Sequence, residues 1–344
     1  MTVAGAGALG LCVAVRLARA GAKVTVRDPA VLGDNASGVA AGMLAPAFES
    51  VLDPAGGDHF RLLSAAHAAW PGFLAELGGA EALFDRSGAA MAAFEGEEGA
   101  LAAAAERLAA LEVPVEPLSG AALRALHPGL SREAVAGFLV REERRVAPGA
   151  LLAALKAALA RLGGRMESTP VSAAGKWEGT LVVAAGADAA TLAALAPELS
   201  RLVPVKGQIL HFDAPPVSGP TVRSLAGYVA PQGRGAIAGA TMEPGRRDRR
   251  LEPATLAALR ANAARLFPAL ADAPAEGRAG VRAATPDGAP LVGRSAGRDD
   301  VMLCVGARRN GWLLAPFAAQ ALVDILAGED PGPFAATLDP RRFG

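Results

Sequence analysis

The feature that most constrains this chain lies at its N-terminus: "VAGAGALG", residues 3–10, in which Gly5, Gly7 and Gly10 form GxGxxG. Apolar residues lead into the motif, and positions 11–20 continue with helical spacing until Gly21 ends the run. A second apolar stretch over 23–26 finishes at Asp28, about twenty residues beyond the glycines. Strand, tight turn, helix and acid-terminated strand in that order make a dinucleotide-binding unit. Gly5 makes the turn, Gly7 lets the backbone approach a pyrophosphate, and Gly10 lets helix and strand pack closely. Asp28 is suited to accept hydrogen bonds from a ribose diol, which argues against a 2′-phosphate, although the neighbouring Arg27 weakens that argument. The motif by itself does not separate FAD from NAD.

Charge and rare residues narrow the partners. Lys plus Arg number 34 and Asp plus Glu 34, so no net field holds the chain on nucleic acid or on an anionic membrane. A small-molecule partner is expected instead. Cys12 and Cys304 lie in apolar runs without CxxC spacing and read as core thiols, and the four scattered histidines predict no metal site. The apolar N-terminus lacks a basic leading region and meets Arg16 and Arg19 too early to span a bilayer. No membrane association and a cytoplasmic location are therefore expected.

Further along, helices are predicted over 58–77, 97–111, 151–162 and 253–267, and a buried strand over 180–184 runs into "AAGAD", which contains Gly186. Alternating strands over 207–212, 227–231 and 236–240 predict an antiparallel sheet, and a strand over 301–306 leads into an apolar helix over 311–327. The fold class is α/β with an α+β substrate domain, in which a Rossmann-like nucleotide domain is interrupted by an antiparallel-sheet domain. The expected boundaries are 1–80, 133–200 and 276–344 for the first, and 81–132 and 201–275 for the second. Ligands would meet at the seam. The basic run "RRDRR", 246–250, reads as a solvated loop, and Lys206 as a solvated or ion-paired lysine.

Five separated stretches carry a more specific signal: "GAGALG", "SGVAAGMLAP", "VPVKGQIL", "YVAPQGRGAIAGATMEPG", and "AGVRAATPDGAPLVGR" with "GARRNGWLLAP". In order and spacing they resemble the glycine oxidases of thiamine thiazole synthesis, flavoenzymes of the D-amino-acid oxidase family, over nearly the whole chain. The resemblance implies FAD in preference to NAD. It also implies a non-covalent cofactor, because the stretch directly after Arg282 lacks the cysteine that tethers flavin in related sarcosine oxidases. By matched position, Ala40, Ala41, Gly42 and Met43 would line the flavin and Val171 the adenine, with Gly186, Asn310 and Gly311 completing the cofactor set. Tyr228 and Arg282 match the pair that grips a substrate carboxylate, while Arg309 and Met242 match residues beside the substrate and the flavin ring.

Those residue types suit that chemistry. A guanidinium meets a planar carboxylate with two parallel charge-assisted hydrogen bonds, which a lysine cannot reproduce. Tyr228, the only tyrosine of the chain, can add a hydroxyl donor while its ring closes the pocket. Without the resemblance, Arg282 would read as a surface or ion-pair arginine, Tyr228 as a packed strand residue and Met242 as core filler. The implied reaction is oxidation of glycine to the imine, with dioxygen as co-substrate and hydrogen peroxide as product. Sarcosine or a small D-amino acid is the alternative substrate, and a flavin-binding subunit without catalysis the alternative role. A homo-oligomer is left open. This chain departs from the pattern at Ala307 and Arg308, where a His and an aromatic are usual, at Ala226 in place of a larger polar residue, and at Trp312 in place of an aliphatic one.

Overall fold

A computed structural model describes residues 1–52 and 59–343. The first predicted strand forms over Thr2–Ala4 and sits inside a six-stranded sheet ordered Leu291–Arg294, Val301–Val305, Leu181–Val183, Thr2–Ala4, Thr25–Arg27 and Arg165–Glu167. Neighbours run parallel except Leu291–Arg294, which is antiparallel to Val301–Val305. Side chains alternate across the sheet, so continuous apolar strands fill two cores at once. Val182, Met302 and Cys304 face the helices Ala8–Arg19, Pro148–Arg161 and Gly311–Ala327, while Leu181, Val183, Leu303 and Val305 face the short helical turns of the opposite side. Both cysteines are fully buried, and desolvation pushes the Cys304 thiol up to about 12.

The second sheet has nine strands and is built around Val203–Phe212, which pairs along all ten residues with Ala275–Ala284. On its other side lie Gly235–Gly239 and Glu243–Pro244, and the sheet continues through Gly227–Gln232, Thr221–Ser224, Ala89–Phe94, Ala134–Val140 and Glu116–Ser119. The strands predicted over 207–212, 227–231 and 236–240 pair antiparallel, and the sheet as a whole is mixed because Thr221–Ser224 and Ala89–Phe94 run parallel. Ala134–Val140 and Ala275–Ala284, which nothing in the sequence joins to it, are also strands of this large sheet. Their partners lie far away in sequence, so no local composition change marks them.

Alternation in this sheet decides what faces the seam. Leu210, Val229 and Ala238 pack under the helix Pro253–Leu266, so Ile209, Tyr228 and Ile237 turn to the opposite face, against Val39, Ala41 and Met43. The helix predicted over 58–77 is two, His59–Ala68 and Trp70–Leu77, and its expected start at residue 58 lies outside the described residues. Pro71, in the first turn of the second helix, cannot donate the hydrogen bond that would fuse them. No helix among the described residues is long and apolar enough to cross a membrane.

Candidate active site

A cleft of about 560 Å3 opens at the C-terminal ends of the parallel strands and runs to the face of the large sheet. Its floor is the glycine loop. A side chain at Gly5, whose φ is +109°, would place Cβ 2.5 Å from the Ala184 carbonyl oxygen, and one at Gly10 would lie 2.0 Å from the Gly5 carbonyl oxygen. Only hydrogen fits at either position. The Asp28 carboxylate accepts from the Ala6 amide at 2.7 Å and the Ala30 amide at 2.9 Å, which orients it at the cleft edge. These features match a dinucleotide cradle: a strand-end acid, a close backbone approach and a helix N-terminus at Ala8.

The predicted cofactor residues divide into lining and supporting sets. Gly5, Gly7, Asp28, Ala40, Val171, Gly186 and Gly311 line the cleft. Gly10 lies beneath it, and Asn310 is buried as the N-cap of Gly311–Ala327. Ala41, Gly42 and Met43 do not line this cleft: Ala41 packs with Ile209 and Ile237, Gly42 adopts φ +76° against the Val146 carbonyl, and Met43 Sδ lies 3.2 Å from Arg223 Nη2. Trp312, which stands where an aliphatic residue is usual, is both a cleft wall and a core contact. It lines the cleft, while its Nε1 donates to the Ser37 carbonyl at 3.0 Å and its ring tilts against Trp70.

At the far end the cleft meets charged side chains from three elements. Arg282 projects from Ala275–Ala284 over Gly207, where a side chain would lie 2.3 Å from Arg282 Nη1. Its Nη1 donates to the Thr241 carbonyl at 3.3 Å and approaches Met242 Sδ at 3.4 Å, which brings together two of the predicted residues. Burial lowers the Arg282 pKa; Tyr228 and Glu49 oppose that shift, while the Arg309 and Arg308 charges add to it. Burial raises the Tyr228 pKa, so its hydroxyl stays a donor. Arg308 lines the cleft with φ +49°, beside the small Ala307, whereas Ala226 is exposed in the turn before Gly227.

Sequence reasoning missed the carboxylate that holds this group together. Glu49, 5% exposed, contacts Arg309 Nε at 2.5 Å and Arg223 Nη2 at 3.2 Å. Arg223 is 3% exposed and lies over the rings of Phe48 and Tyr228, 5.0 and 6.0 Å from their centroids. Glu49 rides on the short helix Pro46–Leu52, whose Ala47 and Phe48 amides donate to the buried Glu143 carboxyl at 2.9 and 3.3 Å. Desolvation lifts Glu143 to about 8, so it is protonated at neutral pH and Glu49 carries the compensating charge between the two guanidiniums. A buried Glu one turn after "GML" is the only local signal, and it needed the fold to acquire partners.

The basic run 246–250 is the solvated loop that its charge predicts, with residues 247–250 exposed, but it also borders the cleft. Arg247 and Arg249 line the cleft, and Lys206, fully buried, donates to Asp248 at 2.8 Å. The ion-paired alternative for Lys206 is therefore the observed one. No group of His, Cys, Asp and Glu with the geometry to hold a metal occurs among the described residues.

Comparison with known proteins agrees with this geometry. The model of the family "DAO: FAD dependent oxidoreductase" matches residues 1–325. The chain is 31% identical to the bifunctional protein ThiO/ThiG of Trichormus variabilis across its whole length, but covers 55% of that protein. It thus spans about half the length of such bifunctional relatives. The glycine oxidase of Geobacillus kaustophilus is 28% identical, with 100% of this chain and 98% of the relative covered. Among solved structures, a glycine oxidase from that organism superposes with a TM-score of 0.85 at 25% identity, covering 98% of this chain and 97% of the other. An iminodiacetate oxidase from Chelativorans gives 0.86 at 25% identity, covering 98% of both chains. With matching family model, glycine cradle and two-sheet architecture, the chain belongs to the DAO family of FAD-dependent oxidoreductases.

Proposed function

We propose that this protein oxidises the CH–NH2 group of a small amino acid, glycine first, to the imine, in the manner of the glycine oxidases that supply iminoacetate for thiamine thiazole synthesis. The observation that supports this reading is that Arg282 lines the sheet end of the dinucleotide cleft, close enough to Tyr228 for the two to interact electrostatically, with Arg309 paired to Glu49 beside it. FAD, when bound, supplies the two-electron acceptor, and dioxygen is its oxidant with hydrogen peroxide as product.

The chain's own residues bind and orient. Arg282 receives the substrate carboxylate; its partial desolvation strengthens that pairing, because fewer waters compete for the guanidinium. Tyr228 donates a further hydrogen bond from a hydroxyl kept protonated by burial. Glu49 pairs with Arg309 as well as Arg223, which holds a second guanidinium beside the site. Fixing one end of the substrate leaves the amine end facing the cofactor cleft, so positioning supplies much of the catalysis. Ala307 leaves room at the cleft wall, and this favours sarcosine or a small D-amino acid as the second reading.

Peroxide release measured with glycine, sarcosine and D-alanine on the FAD-loaded protein tests the proposal. Stoichiometric peroxide and ammonia from glycine are expected. A yellow protein that yields peroxide with none of the three would refute it.

A further inference from the structure

Residues 243–252 join the strand Glu243–Pro244 to the helix Pro253–Leu266, and they carry more organisation than a surface turn needs. Lys206 lies beneath them at 0% exposure, 2.8 Å from Asp248 Oδ1 and 3.9 Å from both Glu243 Oε2 and Glu252 Oε1. Arg246 bridges the same three acids, at 3.0 Å from Glu243 and 2.9 Å from Asp248, with a further contact to Glu252. Gln208 fixes both ends of the segment: its Nε2 donates to Glu243 and its Oε1 accepts from the Glu252 amide, each at 2.9 Å. Lys206 and Arg246 thus engage all three acids. The charge presented to the cleft is that of Arg247 and Arg249.

Those two arginines reach opposite lips of the nucleotide cleft. Arg247 Nη1 donates to the Ala187 carbonyl at 3.0 Å, just beyond Gly186 at the end of Leu181–Val183. Arg249 Nη2 meets the Asp34 carboxylate and donates to the Asp34 carbonyl at 3.2 Å. Asp34 precedes Asn35 and Ser37, and the Ser37 hydroxyl accepts from the Ala8 amide of the glycine-loop helix at 2.9 Å. The two guanidiniums therefore flank the stretch of cleft where that helix N-terminus calls for a phosphate.

We propose that 246–250 is a cationic strap contributed by the large sheet, in which Arg247 and Arg249 bind the diphosphate of FAD and retard its release. The inference rests on membership of the FAD family and is independent of which amine is oxidised. Guanidinium donors match phosphate oxygens in charge and geometry, and the buried Lys206 cluster holds the strap at a fixed height above the glycine loop.

FAD affinity and release from the holoprotein, read by recovery of free-flavin fluorescence at low and high salt, test the strap without any substrate. Arg247→Ala with Arg249→Ala is expected to weaken FAD binding by about tenfold or more and to flatten its salt dependence. Asp34→Asn separates the strap from a mere lip-to-lip ion pair. It removes the partner of Arg249 while leaving the guanidinium, so FAD binding should stay the same or tighten. Double-alanine protein that keeps parental affinity and salt dependence would overturn the proposal, as would an Asp34→Asn variant that loses FAD as readily as Arg249→Ala.

Discussion

The two ends of the cleft are built from different materials. At the nucleotide end the fit comes from backbone: Gly5 and Gly10 admit no side chain, and the Asp28 carboxylate serves the loop amides while facing the cleft. At the opposite end, where we propose that the amino acid binds, the site is made of charged side chains gathered from distant segments, with Glu49 between Arg223 and Arg309 beside Arg282 and Tyr228. A backbone-built site tolerates almost no change at a few positions. A side-chain site fails by amounts that depend on the group removed, most where that group, like Glu49, pairs with more than one neighbour.

Four perturbations sharpen that contrast, the three substitutions among them in descending order of effect. Gly10→Val should abolish FAD binding and folding yield together, since even Cβ would meet a carbonyl oxygen at 2.0 Å; recovery of a yellow soluble protein would break the backbone side of the comparison. Glu49→Leu leaves two arginines uncompensated and should cost about 3 kcal/mol or more of stability. Chemical denaturation measures this, and an unchanged midpoint would show that the cluster is not balanced by Glu49. Tyr228→Phe removes one hydrogen bond and keeps the ring, so amino-acid binding should weaken by about 1 kcal/mol with FAD affinity unaltered, read by equilibrium titration with each ligand.

The fourth perturbation is pH. Glu143 is raised from 4.5 to about 8 in the fold, so its contribution is present below its ordinary pKa and is lost as pH rises through 4.5 to about 8. Melting temperature should therefore fall across that window, and Glu143→Gln, which can still accept from Ala47 and Phe48, should flatten the fall. Identical pH profiles for the two proteins would show that Glu143 is ionised when folded.

The same contrast explains what the sequence could and could not disclose. GxGxxG, Asp28 and the apolar strand over 301–305 state a local conformation, and each appears where its spacing places it. Tyr228 and Arg282 were found by resemblance alone, because nothing near a strand tyrosine records which side of the sheet it will face. Alternation with Val229 settles that only once the helix Pro253–Leu266 is seen to cover one side. Glu49 and Arg223 were invisible, since an ionisable residue reads as solvated until long-range pairing buries it, and nothing local marks the solvated Arg247 and Arg249 as bordering the cleft. The reach of the large sheet was hidden for a related reason: Ala134–Val140 and Ala275–Ala284 join it by pairing with strands distant in sequence.

The most direct test of the account is an anaerobic titration of the FAD-loaded protein with glycine, following visible flavin absorption in the parent and in Arg282→Ala. The parent should bleach and recover its colour on exposure to air. The variant should keep its FAD but require about 10- to 150-fold more glycine, the equivalent of a lost hydrogen-bonded charge pair. Equal glycine requirement in both proteins, or loss of FAD from the variant, would contradict the division of the cleft into a nucleotide end and a carboxylate end.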